Sequence, residues 1–541
     1  MNLDRFSRLD QRRQIWLLLA ALLCLAVLLR GALLASDSVS FHSDEAVVSL
    51  MARHILQGER PVFFYGQAYM GSLDAWLVAA GFALLGESVL TVRIVQSVLY
   101  LLAVGTGVWA AWKLSGQRLL VAAVAGLVLT VSPVLLTLYT TATLGGYNET
   151  LILGHLLLIL GWDVTHEHPR SIWRWAAIGA CAGLGFWTNG LIVVYLLPVG
   201  LLGLRHFARR QIPFYAVAAA AAILFSAPWW IYDFQHDHAA LSFYLHNRPS
   251  RELAGMDAAS TSLVERIFSL FIFNFPALFG MRFPWKSTFF LLPVGLPVLM
   301  VFVLAVYVLV RRRDVLEPEG RFVTLGLLGV HSLIFVISRF GADPSGRYVL
   351  PMLLPLAIAL GALAAELRRA GGGWWWALPV GLVIGYYAAG QIAAASSDMG
   401  LTTQFDPVSH ISNDHDEAVI DFLDAQEIAH GYTNYWVAFR LAFLSQERIQ
   451  LDAALPYKTD LSYNTGDRRY PPYLEATARA DRIAYITTEQ LPELDDLLLE
   501  RLDAAGITYR RQTVGPYYVT YDLSRRVAPH ELGFSAPEIR P

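Results

Sequence analysis

The sequence has little charge and almost no cysteine. Only 16% of its 541 residues are charged and the mean hydropathy is +0.45, whereas soluble globular proteins carry about 25% charged residues. This deficit predicts a membrane protein. The formal net charge of −3 gives no support for a nucleic-acid partner. The two cysteines, Cys24 and Cys181, both lie in apolar runs, which argues against a disulfide and a thiolate metal site.

The N-terminus combines basic residues with a long apolar run. Arg5, Arg8, Arg12 and Arg13 precede about 20 apolar residues that begin near Ile15. This run is too long for a signal peptide and has no small-residue cleavage site. It therefore predicts a retained membrane anchor with a cytoplasmic N-terminus.

The chain contains many runs long enough to cross a bilayer, which takes about 20 apolar residues in a helix. They begin near Ile15, Val92, Leu119, Thr150, Trp173, Leu191, Ile212, Ser287, Phe322, Tyr348 and Trp374. The stretch 173–204 counts as two short spans because "FWTNG" (186–190) interrupts it. A further apolar stretch, 73–86, is shorter than the length that a crossing helix needs.

The positions of basic residues in the loops indicate whether the stretch 73–86 crosses the membrane. Arginine and lysine recur in alternate loops, whereas 140–149 and 341–347 are poor in them. Cytoplasmic loops carry the excess of basic residues, and this pattern holds only if 73–86 does not cross. We therefore expect about 11 crossings, with 73–86 as a surface or re-entrant helix and with 36–91 and 232–285 on the outer face.

The composition changes near residue 395. Charge density rises, and "DHDEAVIDFLDAQ" (414–426) opens an amphipathic helix, after which strand-like and helix-like runs alternate. We predict an α-helical polytopic membrane domain over 1–395 and a soluble α/β domain over 396–541, on the periplasmic side. We find no internal repeats and no low-complexity tract.

Two adjacent acids follow the first apolar run. In "FHSDEAVV" (41–48), Ser43 is a candidate N-cap, and Asp44 and Glu45 then occupy the first turn of a helix that ends at Gln57, before Gly58. Acids in a first turn also complement the helix dipole, so a purely structural interpretation stays open. The aromatic-rich loop 60–76 that follows makes more sense as the floor of a cavity at the membrane surface.

The order of these features resembles the GT-C superfamily of membrane glycosyltransferases. Within this superfamily, the sequence resembles the protein O-mannosyltransferases and the bacterial aminoarabinose transferases that modify lipid A. The resemblance is carried by the pair Asp44–Glu45, by "YMGSLDAWLVAAGFALLG" (69–86), by "GLGFWTNGLIVVYLLP" (183–198) and by "GRYVLPMLLP" (346–355). It covers most of the membrane domain and none of the C-terminal domain.

The resemblance implies an inverting glycosyltransferase of a bacterial inner membrane. Its donor is a sugar linked to a polyprenyl phosphate, and its acceptor is a hydroxyl of a lipid, glycan or protein at the periplasmic face. By match to the Asp-Glu motif, Asp44 is the expected base and Glu45 shapes the site. A single base opposite the leaving group gives inversion. We expect no cofactor and no required metal, because the second outer loop, 140–149, carries no paired acids of the D-x-D kind.

The departing lipid phosphate needs cations. Arg347 matches the arginine of the family's Arg-Tyr motif, and Arg248, Arg251, Arg282 and Lys286 lie in the second outer segment. Each can instead simply extend to the interface. Many relatives carry a lysine in the first loop, where this chain has Gln67 and Tyr69.

Further substrate contacts are expected from Glu149, Tyr65, Gln67, Tyr69 and Tyr348. Glu149 is equally well explained as a polar residue at a helix start. Aromatic residues in "YTNYW" (432–436) and "RRYPPYLE" (468–475) are candidates for stacking on sugars, although core packing explains them as well. His155 and His331 lie within apolar spans, and we expect hydrogen bonds inside the bundle for both.

Two other classes fit parts of the sequence. A lipid or sugar transporter places ionisable groups near the bilayer midplane and usually shows repeated halves, whereas the charges here cluster near the outer surface. A non-catalytic membrane scaffold would not need an acid beside an aromatic-lined loop.

Overall fold

The computed structural model describes residues 3–245, 262–371, 373–405 and 407–534, and most of them are helical. The membrane part contains helices α1 (Leu3–Ala35), α2 (Ser43–Gln57), α3 (Leu73–Leu85), α4 (Val89–Leu114), α5 (Leu119–Thr130), α6 (Val134–Tyr139), α7 (Tyr147–Trp162), α8 (Ile172–Thr188), α9 (Val193–Arg205), α10 (Ile212–Phe225), α11 (Ala227–Gln235), α12 (Ala239–Leu245), α13 (Leu263–Ser269), α14 (Phe275–Leu278), α15 (Leu292–Arg311), α16 (Pro318–Ile337), α17 (Leu353–Gly371) and α18 (Ala377–Ala395). Strands β1 (Phe63–Phe64) and β2 (Gln67–Gly71) form a hairpin between α2 and α3.

Every apolar run identified in the sequence coincides with a helix. Within the described residues, six helices are long and apolar enough to cross a membrane, and a bent pair, 209–225 with 227–235, makes up to seven. The other runs form shorter helices. The expected helical polytopic membrane fold is therefore confirmed, whereas the number of about 11 crossings stays a prediction.

The interruption at 186–190 separates two short helices, as expected. Helix α8 ends at Thr188, a single 3₁₀ turn covers Gly190–Ile192, and α9 follows. Helix α8 packs closely on α10, where a Cβ atom added to Gly179 or Gly183 would lie 2.0 or 2.1 Å from a backbone oxygen of α10. Small residues allow such close approach of two helices, so substitution of either glycine would force α8 and α10 apart.

Helix α2 begins and ends largely as its sequence indicates. Gly58 adopts a left-handed conformation with φ of 112° and its N–H bonds to the carbonyl of Ile55, which ends the helix. The predicted N-cap, Ser43, is wrong by one residue. His42 is the cap, and its Nδ1 accepts the Glu45 N–H at 3.4 Å. Ser43 Oγ instead donates to the carbonyl of Tyr435 at 2.6 Å.

The C-terminal part forms a five-stranded mixed sheet with helices. Its elements are α19 (Asp416–Ala425), β3 (His430–Asn434), α20 (Tyr435–Leu444), β4 (Gln450–Leu455), α21 (Pro471–Arg479), β5 (Ala484–Thr488), α22 (Pro492–Ala504), β6 (Arg510–Val514) and β7 (Tyr517–Tyr521). The strand order is β4-β3-β5-β7-β6, parallel across β4, β3 and β5 and antiparallel from β5 onward. The predicted α/β class is confirmed.

This sheet domain packs directly on α2 through α20. Phe41 exchanges backbone hydrogen bonds with the Asn413 side chain at 3.1 and 2.9 Å. At the other end of α2, Glu447 bonds to Arg53 at 3.2 Å and to His54 at 3.0 Å. The apolar residues between these contacts form one core shared by α2, α3 and the sheet domain, so the two parts of the chain are joined along the whole of α2.

Candidate active site around Asp44

The first turn of α2 is built around a neutral histidine. His42 is buried, and burial lowers its pKa to about 4. Its Nδ1 accepts the backbone N–H of Glu45, so the ring proton is on Nε2 and bonds to Thr403 Oγ1, 2.9 Å away. Thr403 belongs to the segment that links α18 to the sheet domain. His42 thus fixes the start of α2, and with it the two acids that follow.

Asp44 is half-buried and points at the sheet domain. Its Oδ1 accepts a hydrogen bond from the Tyr435 hydroxyl at 2.5 Å. Tyr435 is the first residue of α20, and its carbonyl accepts from Ser43 Oγ. The carboxylate therefore sits at the N-terminus of one helix and is held by the N-terminus of another, where helix dipoles favour negative charge.

Glu45 is fully buried and bonds to Arg93 of α4 at 2.7 Å. Burial raises the pKa of this carboxyl to about 7, and Arg93 offsets part of that rise. Arg93 also donates to the carbonyls of Val39 and Ser40, ahead of α2. Since Glu45 is sealed from solvent, it suits a positioning role that ties α2 to α4.

A loop of the sheet domain completes the surroundings of Asp44. Burial raises the pKa of Asp467 to about 7, and the negative charge of Asp44 adds to this rise. Next to it, Arg469 bonds to Gln67 of β2 when the amide is oriented so that its oxygen accepts, at 2.5 and 2.7 Å. The Arg469 guanidinium also lies 5.4 Å from the Tyr435 ring centre. The expected substrate residue Gln67 is thus placed beside a cation that the sequence did not mark.

Arg347 lies on the other side of the same region. Its guanidinium pairs with Asp343 at 2.7 Å and lies 4.9 Å from the ring centre of Tyr348, while its Nε makes no hydrogen bond within the described residues. The Tyr139 hydroxyl, in α6, is buried and makes no hydrogen bond within the described residues.

The other predicted cations have different surroundings. Arg282 is buried, and its guanidinium donates to the carbonyls of Phe273, Phe283, Pro284, Lys286 and Pro344. This geometry favours a structural role in bracing the loop that carries Arg347. The Lys286 ammonium lies 5.8 Å from the Phe283 ring centre. Arg248 and Arg251 lie outside the described residues.

The aromatic candidates stack on other rings. Tyr69 is parallel to Phe243 at 4.4 Å, and Tyr65 stacks on Tyr470 at 4.8 Å. Tyr470 is one of the sheet-domain aromatics singled out in the sequence. Tyr348 is buried, and its carbonyl accepts from His331 Nε2 at 2.7 Å. His155 likewise bonds to the carbonyl of Ala103 at 3.1 Å, so the expectation of internal hydrogen bonds for both histidines is confirmed.

Glu149 forms part of a buried polar cluster that the sequence did not reveal. It lies in the first turn of α7 beside Asp74 of α3. Asp74 accepts from Gln96 at 2.7 Å and from the Thr143 hydroxyl. The sequence did not indicate a role for Asp74, because this residue is a single acid within an apolar helix. This cluster connects α3, α4 and α7 behind Glu45.

A cavity of about 1000 Å³ opens next to this site. It lies between the ends of α1 and α18, the start of α4 and helix α19, and its walls include Phe41, Arg93 and Gln404. Asp44 is not among its lining residues. Arg93 connects the cavity with the buried Glu45, one residue from Asp44.

Comparison with known proteins supports the resemblance seen in the sequence. Residues 72–232 match the family described as dolichyl-phosphate-mannose-protein mannosyltransferase. Two bacterial undecaprenyl phosphate-alpha-4-amino-4-deoxy-L-arabinose arabinosyl transferases are each 28% identical. The match to the enzyme from Pseudomonas fluorescens Pf0-1 covers 40% of this chain and 35% of that protein, and the match to the one from Pseudomonas aeruginosa PAO1 covers 54% and 49%. The chain thus spans half or less of these relatives.

Solved structures extend the likeness to nearly the whole chain. ArnT from Cupriavidus metallidurans bound to undecaprenyl phosphate superposes with a TM-score of 0.58 at 15% identity, over 97% of this chain and 99% of that one. The apo oligosaccharyltransferase of Archaeoglobus fulgidus gives 0.50 at 10% identity, over 88% and 69%. These likenesses establish the fold, and the predicted resemblance to the GT-C superfamily is confirmed.

Proposed function

We propose that this protein transfers a sugar from a polyprenyl-phosphate carrier to an acceptor hydroxyl, with inversion, at the periplasmic face of a bacterial inner membrane. The observation that carries the proposal is the half-buried Asp44 carboxylate in the first turn of α2, which accepts a hydrogen bond from the Tyr435 hydroxyl at 2.5 Å. The relatives support the donor class, since they are named for undecaprenyl-phosphate-linked aminoarabinose and dolichyl-phosphate-linked mannose.

In this mechanism Asp44 takes the proton of the acceptor hydroxyl as its oxygen attacks the anomeric carbon. The bond from that carbon to the phosphate oxygen breaks, and the electron pair leaves with the polyprenyl phosphate. Arg347 stabilises the charge gained by the phosphate, because a preorganised cation favours a developing anion. One carboxylate acts on the acceptor and none attacks the sugar, so the anomeric configuration inverts.

The orientation of the chain in the membrane follows from its charges. The loops after α4, α9, α15 and α17 carry basic residues, which favours a cytoplasmic position. Helix α2 and the sheet domain then face the periplasm, together with Asp44. The acceptor group in this proposal is a hydroxyl of a lipid, glycan or protein.

The function is tested with purified protein in proteoliposomes. We expect loss of the donor and release of undecaprenyl phosphate when vesicles contain undecaprenyl-phosphate aminoarabinose or mannose together with a lipid extract as acceptor. Comparison of anomeric configuration in donor and product by nuclear magnetic resonance tests inversion. Movement of intact donor between leaflets without consumption of either sugar would contradict the proposal and favour a transporter.

The contribution of the sheet domain is tested at Tyr435. Replacing Tyr435 with phenylalanine removes the hydrogen bond to Asp44 and keeps the backbone carbonyl that Ser43 uses. We expect a roughly 10- to 150-fold lower transfer rate, since a hydrogen bond to a charged group contributes about 1.5–3 kcal/mol and a tenfold change in rate corresponds to about 1.4 kcal/mol. The control is Tyr432→Phe, whose hydroxyl contacts Arg526 at 3.4 Å within the sheet domain. Equal transfer rates for the two variants would show that Tyr435 does not contribute to the active site.

A further inference from the structure

A second cluster of polar side chains lies at the opposite end of the helix bundle. Its members are His166, His206 and Glu319. His166 lies in the π-helical turn Asp163–Glu167 that follows α7, His206 directly follows α9, and Glu319 is in the first turn of α16. Glu149 lies 13 residues before Trp162, the last residue of α7, a distance of about 20 Å at 1.5 Å per residue, and the cluster lies beyond that end. The cluster is therefore distinct from the site around Asp44.

The three side chains converge on one point. His206 Nε2 is 2.6 Å from Glu319 Oε1, and His166 Nε2 is 2.6 Å from Glu319 Oε2. The two imidazole rings are 5.4 Å apart between centres. One potential ligand atom from each of the three residues lies within 4.8 Å of the other two. Both imidazoles thus present the same nitrogen to the two oxygens of one carboxylate.

When the His166 ring is neutral, its tautomer places a lone pair opposite Glu319. His166 Nδ1 faces the carbonyl of Trp162 at 3.2 Å and the Thr165 hydroxyl at 2.8 Å, and that hydroxyl already donates to the carbonyl of Gly161. Because a carbonyl only accepts, the ring proton belongs on Nδ1, and Nε2 of the neutral ring carries a lone pair. This lone pair faces Glu319 Oε2, which is buried and makes no hydrogen bond within the described residues.

The orientation of His166 is fixed by its surroundings. Its ring stacks on Trp162 with centres 3.9 Å apart and planes 10° from parallel. Nearby charges are already paired, with Lys113 bonded to Asp163 and Glu167, and Arg174 bonded to Asp163. A backbone carbonyl that holds the other nitrogen of an imidazole is the usual support of a metal-binding histidine.

We propose that His166, His206 and Glu319 bind a zinc ion that ties the ends of α7 and α9 to the start of α16. Two neutral imidazoles and one carboxylate suit Zn²⁺, and they leave a fourth tetrahedral position for water. With ligand bonds of about 2.0–2.2 Å, the nitrogen and oxygen atoms would separate to about 3.3 Å. The partly exposed side chains can make this small adjustment.

Because the three residues come from the ends of three different helices, the ion acts as a cross-link in the fold. It is independent of the proposed transfer reaction and of the expectation that the active site requires no metal. This site could not be recognised from the sequence, because positions 166, 206 and 319 have no metal-ligand spacing. Only the packing of α7, α9 and α16 brings them together.

The zinc site is tested on full-length protein purified without a polyhistidine tag. We expect about one zinc per chain by mass spectrometry of the metal content, a Tm several degrees higher with Zn²⁺ than after chelation, and tetrahedral Co²⁺ absorption bands after substitution by cobalt. His206→Ala and His166→Ala should lose all three properties. His168→Ala, an exposed histidine outside the cluster, should keep them.

Three results would overturn this proposal. Wild-type protein that contains no zinc and shows no Tm change with Zn²⁺ would show that Glu319 pairs only with protonated histidines. Zinc that remains in the His206→Ala protein at the wild-type level would place the ion elsewhere. A lower Tm of the variants that does not depend on Zn²⁺ would also assign the cluster to a simple ion-pair network.

Discussion

Replacing Asp44 with asparagine is expected to lower the rate of sugar transfer by about 10²–10⁴-fold, the usual contribution of a general base. Asparagine keeps the size of the side chain and can still accept the hydrogen bond from Tyr435, so α2 and its contact with α20 should persist. Binding of undecaprenyl phosphate should also persist, because the mutation leaves Arg347 in place. The rate is measured in proteoliposomes as release of undecaprenyl phosphate.

The matched control for this variant is Asp37→Asn. Asp37 is an exposed acid just before α2, with φ of 49°, a backbone conformation that asparagine tolerates well. It should keep the wild-type rate. If Asp44→Asn transfers sugar as fast as Asp37→Asn, Asp44 is not the base and the proposed mechanism fails.

Removal of the Arg347 charge is expected to lower kcat/KM for the lipid donor by about 10²-fold or more, as loss of one preorganised stabilising group does in other enzymes. Arg347→Gln alone would leave the buried Asp343 without its cation, so the informative variant is Asp343→Asn with Arg347→Gln. Asparagine preserves the hydrogen bond that Asp343 Oδ1 accepts from the Ser345 N–H at 2.7 Å.

Asp343→Asn alone separates the two roles of this pair. It keeps the arginine and frees it from its carboxylate partner, so transfer should continue and undecaprenyl phosphate should bind at least as tightly as to the wild type. Donor affinity is measured by binding of undecaprenyl phosphate in detergent. The same kcat/KM in the single and the double variant would exclude Arg347 as a ligand of the leaving phosphate.

Local patterns explain how much of the fold could be predicted. The end of α2 at Gly58, the break after Thr188 and the alternation of strands and helices in the sheet domain depend on residues close in sequence, and the sequence predicted each of them. The N-cap was misplaced because serine is a common cap, whereas the buried imidazole of His42 takes this role with help from Thr403, 361 residues away. The short hairpin β1–β2 gave no clear strand pattern.

The candidate site depends more on contacts between distant residues. Asp44, Glu45 and Arg347 were marked by motifs, but nothing in the sequence connects Tyr435, Asp467 or Arg469 with them. Tyr435 reaches Asp44 across 391 residues. Asp74 was missed because its partners come from α4 and the loop before α7. Arg282 was marked by its charge, although its position among carbonyls became visible only in the folded chain.

The contact between α2 and α20 limits how the two parts of the chain can be recombined, both in engineering and in evolution. A chimera that joins the membrane half of this chain to the soluble half of a relative would exchange Tyr435 together with the partners of Arg53 and His54. Both halves of such a hybrid could fold, and Asp44 would still be misoriented because it lacks the hydrogen bond from Tyr435. The two halves should therefore be inherited together, and they are not interchangeable modules.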